Sequence, residues 1–317
     1  MPSSPVLLEN VTKKYGAFTA VNDLSFEVLQ GEIYGFLGPN GAGKTTTLRM
    51  MLDIVQPSEG RVLVLGSESA IPVRRRIGYL PEERGLYRKM KAADSIAYFA
   101  QLRGLSSRDA KKRAYELLEQ FGLEKFARAK NEALSKGMAQ KVQLLATIAH
   151  EPELLILDEP FSGLDPINQQ TLETLIRDQR AAGRTIIFST HVMQHAERLC
   201  DRFLIIAGGR KRFEGTLSEA RADYGSRIHL RTTAPESALK ALPDVVSIRI
   251  EDVSGAETTY EIELDDDADP QAFLTRLVEA GVPVTRFEQA GATLHDIFVA
   301  LAGEEAAPPQ TKLEAAE

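Results

Sequence analysis

The sequence predicts an α/β fold built on a largely parallel sheet, followed by a smaller α+β unit of βαββαβ order. Three observations predict it. Short apolar runs such as "ELLILDE" and "RTIIFSTH" alternate with helix-patterned stretches, as strands buried on both faces of a parallel sheet do. A glycine-rich turn, residues 38–43, separates an apolar strand from a helix pattern. The charge balance also changes sign along the chain. Up to Leu217 there are 30 basic and 25 acidic residues, and from Ser218 onward 8 basic and 20 acidic. A chain of 317 residues accommodates about two domains. The boundary is placed after residue 225, giving domains 1–225 and 226–302, with 303–317 read as a disordered, proline-containing tail.

The elements follow in order. "VLLENVTKKYG" and "LSFEVLQGEIYGFLG" read as strands, the second running into the glycine turn. A helix is expected from Lys44 to about Val55, and "RVLVLG" is a strand. A long helical stretch covers Asp94–Phe121, broken near Gly104 and Ser106. In the second part, "SRIHLRTT" is a strand and Pro235–Leu242 a short helix. "VVSIRIE" and "TTYEIELDD" form a hairpin across Gly255, Pro270–Ala280 is a helix, and "VPVTRFEQA" is a strand. This order is that of a ferredoxin-like split unit, and a last helix, Thr293–Leu301, packs back on it.

Composition excludes several classes. One cysteine, Cys200, precludes an internal disulfide and suits a reducing compartment. No run approaches the ~18 apolar residues of a membrane span, and no secretory leader pattern is visible. The expected place is the cytoplasm, with membrane contact only through a partner. The acidic second part argues against nucleic-acid binding, and the basic run Arg74–Arg76 is offset by Glu82 and Glu83.

Gly38-Pro-Asn-Gly-Ala-Gly-Lys-Thr45 fits the pattern G-x-x-x-x-G-K-[ST]. Pro39, Asn40, Gly41, Ala42 and Gly43 would wrap backbone N–H groups around a phosphate, at the positive end of the following helix. Lys44 would reach the β- and γ-phosphates of a bound nucleotide. The Thr45 hydroxyl would ligate Mg²⁺, and Thr46 follows in the same turn. Asp158 closes the strand "LLIL" and would hold Mg²⁺ opposite Thr45, while Glu159 would polarise a water in line with the γ-phosphate.

With these residues in place, the sequence resembles the ATP-binding subunits of ABC transporters. The segment Leu134-Ser-Lys-Gly-Met-Ala-Gln140, whose Ser135 lies 23 residues before Asp158, is similar to the ABC signature LSGGQ. The resemblance implies a RecA-like core with a helical subdomain. It also implies that Ser135 and Gly137 cap an ATP held by the opposite subunit of a dimer. Tyr15 resembles the aromatic residue that stacks on adenine. Ser162-Gly-Leu-Asp165 resembles the D-loop at the dimer interface, with Asp165 its last residue. His191 resembles the switch histidine that contacts the γ-phosphate.

Two departures stand out. Glu82 occupies the place of the glutamine that in the family touches Mg²⁺, and a carboxylate can still ligate that metal. Lys136 replaces a signature glycine, either attracting the opposite subunit's phosphate or simply facing solvent. "YLPEERGLY" with "LSKGM" and the ending "LHDIFVALAG" resembles exporter subunits of the sodium, antibiotic and multidrug-efflux type. Their membrane permease is a separate chain. The implied partners are therefore an integral membrane permease and a second ATPase subunit, with no nucleic acid. The rivals are an importer subunit whose second domain senses a ligand, and a soluble ABC ATPase. Lys44 and Ser135 are only 91 positions apart, too close for the coiled coil of repair proteins.

His191 and His195 have the i, i+4 spacing of zinc ligands, but Val192 stands where H-E-x-x-H has its glutamate. His195 is expected on a helix surface, and His150, His229 and His295 without ligand-type neighbours.

Overall fold

A computed structural model describes residues 4–83, 85–222, 227–265, 268–290 and 292–302. Residues 303–317, expected to be disordered, lie outside the described residues, as does the expected boundary at 225/226. The chain divides into two compact units, and the second comprises Thr216–Leu301.

Among the described residues, the first unit has two sheets. Strands β1 (Val6–Tyr15), β2 (Phe18–Val28) and β4 (Glu59–Val64) pair antiparallel in the order β2-β1-β4. Six others order as β5-β6-β7-β3-β8-β9: β3 (Ile33–Leu37), β5 (Ile77–Leu80), β6 (Leu154–Leu157), β7 (Thr185–Thr190), β8 (Arg202–Ala207) and β9 (Arg210–Gly215). All neighbours in this sheet are parallel except the pair β8–β9.

Alternation along the strands explains why the central sheet reads as uniformly apolar. Ile33, Leu155, Leu157, Ile186 and Phe188 face one buried cluster; Tyr34, Phe36, Leu154, Ile156, Ile187 and Leu204 face the other. The first cluster is completed by helices α3 (Ala92–Leu102), α4 (Ser107–Gln120), α5 (Lys136–Ile148) and α6 (Pro166–Ala181). The second is completed by α1 (Lys44–Met51), α2 (Ala70–Val73) and the three-stranded sheet. Helix α7 (Met193–Leu199) links β7 to β8.

Some expectations change. "LSFEVLQGEIYGFLG" is two strands in different sheets, because Gly31 turns the chain at a φ of 78°. The first helix stops at Met51 rather than Val55, since Asp53 takes a left-handed φ of 58°. Strands β5, β8 and β9 were not foreseen.

The second unit runs α8 (Leu217–Ala222), β10 (Arg227–Thr232), α9 (Glu236–Lys240), β11 (Val245–Ser254), β12 (Glu257–Leu264), α10 (Pro270–Glu279), β13 (Arg286–Ala290) and α11 (Leu294–Ala302). Its sheet is antiparallel in the order β11-β12-β10-β13, the ferredoxin-like arrangement expected. Ile228, Leu230, Tyr260 and Ile262 fill its inner face against Phe273 and Leu277 of α10.

Two histidine expectations are corrected. His195 is buried, only 4% exposed, because its ring is stacked on Phe161. His229 does have ligand-type neighbours. Adjacent strands bring its ring within 4.8 Å of carboxylate oxygens of Glu251 and Glu261. Those groups are already engaged, Glu251 with His229 at 2.6 Å and Glu261 with Arg227 at 3.1 Å.

Candidate active site

The phosphate-loop sequence forms the connection its residues demand. β3 is wholly buried and ends at Leu37, and α1 starts at Lys44. Between them Gly41 and Gly43 take φ values of 81° and 102°. A Cβ at Gly43 would lie 2.5 Å from the Ala20 carbonyl oxygen, and one at Gly38 would lie 2.4 Å from that of Ile206. Both positions therefore require glycine for space, and Gly43 also for conformation. Asn40 is exposed, Ala42 is buried, and Pro39 accepts a bond from the Ala42 N–H.

Lys44 is 6% exposed and curls back over this loop. Its Nζ donates to the carbonyls of Gly38 at 2.6 Å and Pro39 at 3.2 Å, and stands 3.5 Å from Glu159 Oε1. Burial lowers its pKa, opposed by the carboxylates of Glu159, Asp158 and Glu82. Glu159 Oε2 meets His191 Nδ1 at 3.0 Å. The Glu159 carboxylate is thus suspended between a buried ammonium and an imidazole. Its Oε1 is a buried atom with no hydrogen-bond partner among the described residues.

Asp158 Oδ1 accepts from Ser189 Oγ at 2.6 Å and from Thr45 Oγ1 at 3.4 Å. Burial raises its pKa, partly countered by those two hydroxyls. The Thr45 and Asp158 oxygens are hard ligands at close to the roughly 3 Å spacing of neighbouring octahedral positions around Mg²⁺. A buried acid destabilised as an anion is also one that a cation would relieve. The residues present therefore fit Mg²⁺. Glu82 lines a cavity of about 360 Å³ with Glu83, Lys136, Gln140, Asp158 and Glu159, and its charge acts on Lys44. Thr46 is half-buried in the first turn of α1.

The other residues named from the sequence fall in two places. Tyr15, 49% exposed, stands at the tip of the β1–β2 hairpin whose Ala20 carbonyl abuts Gly43, with Lys13 Nζ 5.0 Å from its ring centre. Ser135 caps α5, accepting from the Met138 N–H at 3.3 Å, and Asp165 caps α6, accepting from Asn168 N at 2.9 Å. Gly137 touches Asn168, so Ser135, Gly137 and Asp165 form a second patch where the two helices begin. Lys136 is exposed, and its ammonium lies over Gly163, where a Cβ would come within 2.3 Å of Nζ.

Ser189 was missed by sequence reasoning. It is fully buried, and besides bonding Asp158 it accepts the Glu159 N–H at 2.9 Å. The signal was a serine closing the apolar stretch "IIFS" of β7. Gln140, which donates to the Pro160 carbonyl at 2.7 Å, was missed as well.

Comparison with known proteins identifies the family. A family model described as ABC transporter matches residues 21–162. A Bacillus subtilis protein, "Uncharacterized ABC transporter ATP-binding protein YhaQ", is 37% identical over 308 residues, covering 93% of this chain and 98% of the relative. The chain belongs to the ABC transporter ATP-binding proteins. It is an ATP-hydrolysing subunit carrying a C-terminal accessory domain. A second family model, "ATP-binding protein DrrA1-3-like, C-terminal domain", matches residues 215–302 of this ABC subunit. "Nod factor export ATP-binding protein I" of Burkholderia orbicola is 36% identical, covering 96% of this chain and 99% of the relative. "Linearmycin resistance ATP-binding protein LnrL" of Bacillus subtilis is 35% identical, with 81% and 82% covered. A solved "Structure of ATP binding subunit of ABC transporter" superposes with a TM-score of 0.64 at 34% identity, over 69% of this chain and 92% of that one.

Proposed function

We propose that this ABC ATPase subunit drives an exporter whose membrane permease is a separate chain. It would work as a homodimer at the cytoplasmic face of the membrane. Two ATP molecules would lie between the Lys44 loop of one copy and the Ser135–Gly137 segment of the other, with Asp165 at the interface and Tyr15 against the base. Support for export comes from the relatives named for Nod factor export and linearmycin resistance.

The observation that carries the catalytic reading is the Glu159 carboxylate held between Lys44 Nζ and His191 Nδ1. A triphosphate entering the loop offers Lys44 better acceptors than the carbonyls of Gly38 and Pro39. Lys44 then turns to the β- and γ-oxygens, and the Glu159 oxygen it faced becomes free to accept a proton from water. That water attacks the γ-phosphorus, the bond to the β-bridging oxygen breaks, and ADP and phosphate leave. His191 keeps the carboxylate aimed and meets the γ-phosphate. Thr45, Asp158 and Glu82 would hold Mg²⁺, which when bound neutralises charge on the β- and γ-phosphates. Ser189 fixes Asp158 and the Glu159 backbone together.

The test is a pull-down of tagged protein from native membranes in mild detergent, with mass spectrometry. A stoichiometric polytopic membrane protein is expected. Recovery without any membrane protein would overturn the transport assignment and leave the ATPase standing.

A further inference from the structure

Behind the site lies a buried polar network that the reaction as drawn above does not use. His195, on α7, lies flat on Phe161, with ring centres 4.0 Å apart and planes within 10°. Phe161 in turn meets Phe188 of β7 edge-on at 5.8 Å. Both rings of the stack are 4% exposed. The polar edge of His195 faces charged neighbours. Nδ1 is 3.7 Å from Glu173 Oε1 and 3.4 Å from Arg198 Nη2, and Arg198 closes the set with a 2.9 Å ion pair to Glu173. Burial and the adjacent Arg198 cation lower the His195 pKa, so the ring stacks as a neutral aromatic.

The position of Phe161 gives this stack its meaning. It is two residues after Glu159 in a turn closed by Ser162 N–H to Glu159 O at 3.1 Å and Leu164 N–H to Phe161 O at 3.2 Å. Glu159 itself has a left-handed φ of 46°. A non-glycine residue stays in that region only where its surroundings over-determine it. Three contacts do so: Ser189 on the Glu159 N–H, Gln140 on the Pro160 carbonyl, and the clamp on Phe161. One short segment also supplies two grips. His191 holds the Glu159 carboxylate, and His195, four residues on, holds the ring that anchors the Glu159 backbone.

We propose that His195 is a positioning residue for ATP hydrolysis, acting through its stack on Phe161 to hold Glu159 in its left-handed conformation. It fixes both the carboxylate between Lys44 and His191 and the Ser162–Asp165 turn. It contributes to turnover and not to ATP affinity. The proposal rests on the reading of Glu159 as the residue that activates water.

Full-length His195→Ala, His195→Phe and Glu159→Gln are compared for steady-state ATP turnover, ATP affinity and thermal midpoint. Small misplacements of a reacting group cost up to about a hundredfold, so His195→Ala is expected to lower kcat about tenfold with ATP affinity within about twofold. His195→Phe keeps a flat ring on Phe161 and is expected to recover at least about half of the lost rate. A His195→Ala enzyme with normal kcat below its melting temperature would overturn the proposal. So would failure of His195→Phe to rescue a folded protein, which would place the effect in the Glu173–Arg198 edge instead. If His195→Ala does not fold, His195→Phe against His195→Gln, both read at a temperature where they are folded, makes the same comparison. Normal turnover in Glu159→Gln would instead sink the underlying reading of Glu159, whatever His195 does.

Discussion

Replacing Glu159 with glutamine changes one charge and almost no volume. The amide can still pair with His191, since the 3.0 Å contact needs only one polar atom on each side. It can no longer balance Lys44, 3.5 Å away in a setting where both side chains are under 10% exposed. Two effects follow. A proton-accepting carboxylate typically contributes about 10²–10⁴-fold to such a reaction, so turnover should fall at least ~100-fold. That is about 3 kcal/mol of barrier, at 1.36 kcal/mol per tenfold. Nucleotide binding should move the other way. A unit charge about 4 Å from another interacts by up to ~4 kcal/mol at a near-surface effective dielectric. Removing the carboxylate frees Lys44 for the incoming phosphates and removes a repulsion. The assay pairs phosphate release with equilibrium binding of a fluorescent ATP analogue. The expected protein binds ATP as well as or better than the parent and barely hydrolyses it. Turnover within a few-fold of the parent would refute the water-activating role of Glu159. A joint loss of binding and turnover would show instead that Glu159 shapes the phosphate loop.

Lys44→Ala should abolish detectable nucleotide binding, and retained affinity in the same binding assay would remove Lys44 from the site. Gly43→Ala meets both a left-handed φ of 102° and an Ala20 oxygen 2.5 Å from the new Cβ. Conformational strain of about 1–2 kcal/mol and overpacking of about 1–3 kcal/mol should lower its thermal midpoint and ATP affinity together; an unchanged midpoint would contradict the packing. His150 gives a pH prediction. Burial pushes its pKa from 6.5 down to about 4 while its ring bonds the Ile77 carbonyl. The unfolded chain then takes up a proton near pH 6.5 that the folded chain refuses until about pH 4. Stability is therefore intact above about pH 6.5 and falls across that window by up to about 3 kcal/mol. Urea unfolding at pH 7 and 4.5 should show the drop, and His150→Gln should flatten it; an equal drop in the variant would assign the slope to other groups.

The phosphate loop was legible because its chemistry is contiguous. Six residues that bend and one that reaches follow one another in 38–44, between a strand and a helix that local pattern alone reveals. Asp158 and Glu159 were legible for the same reason, as charges ending an apolar strand. The ferredoxin-like order of the second unit could be read because each of its strands is bounded by a turn residue, as at Gly255 between β11 and β12. The merged reading of β2 and β3 fails at Gly31, which by sequence alone looks no different from Gly35 inside β3.

What local pattern could not supply was the company a residue keeps across the sheet. β6 and β7 run parallel with Leu157 beside Phe188, which puts Asp158 next to Ser189 although 31 positions separate them. The same register brings Phe188 under Phe161 and leaves one face of that ring for α7 to cover. His195 looked like a surface residue because glutamine, glutamate and arginine flank it along the chain. It is buried because its ring covers the face of Phe161 that Phe188 leaves open, and because Arg198 Nη2 meets its Nδ1 at 3.4 Å. The zinc reading of His191 and His195 fails on the same ground. One ring stands against the Glu159 carboxylate and the other lies on Phe161, so the two grip one turn at different points rather than sharing a ligand.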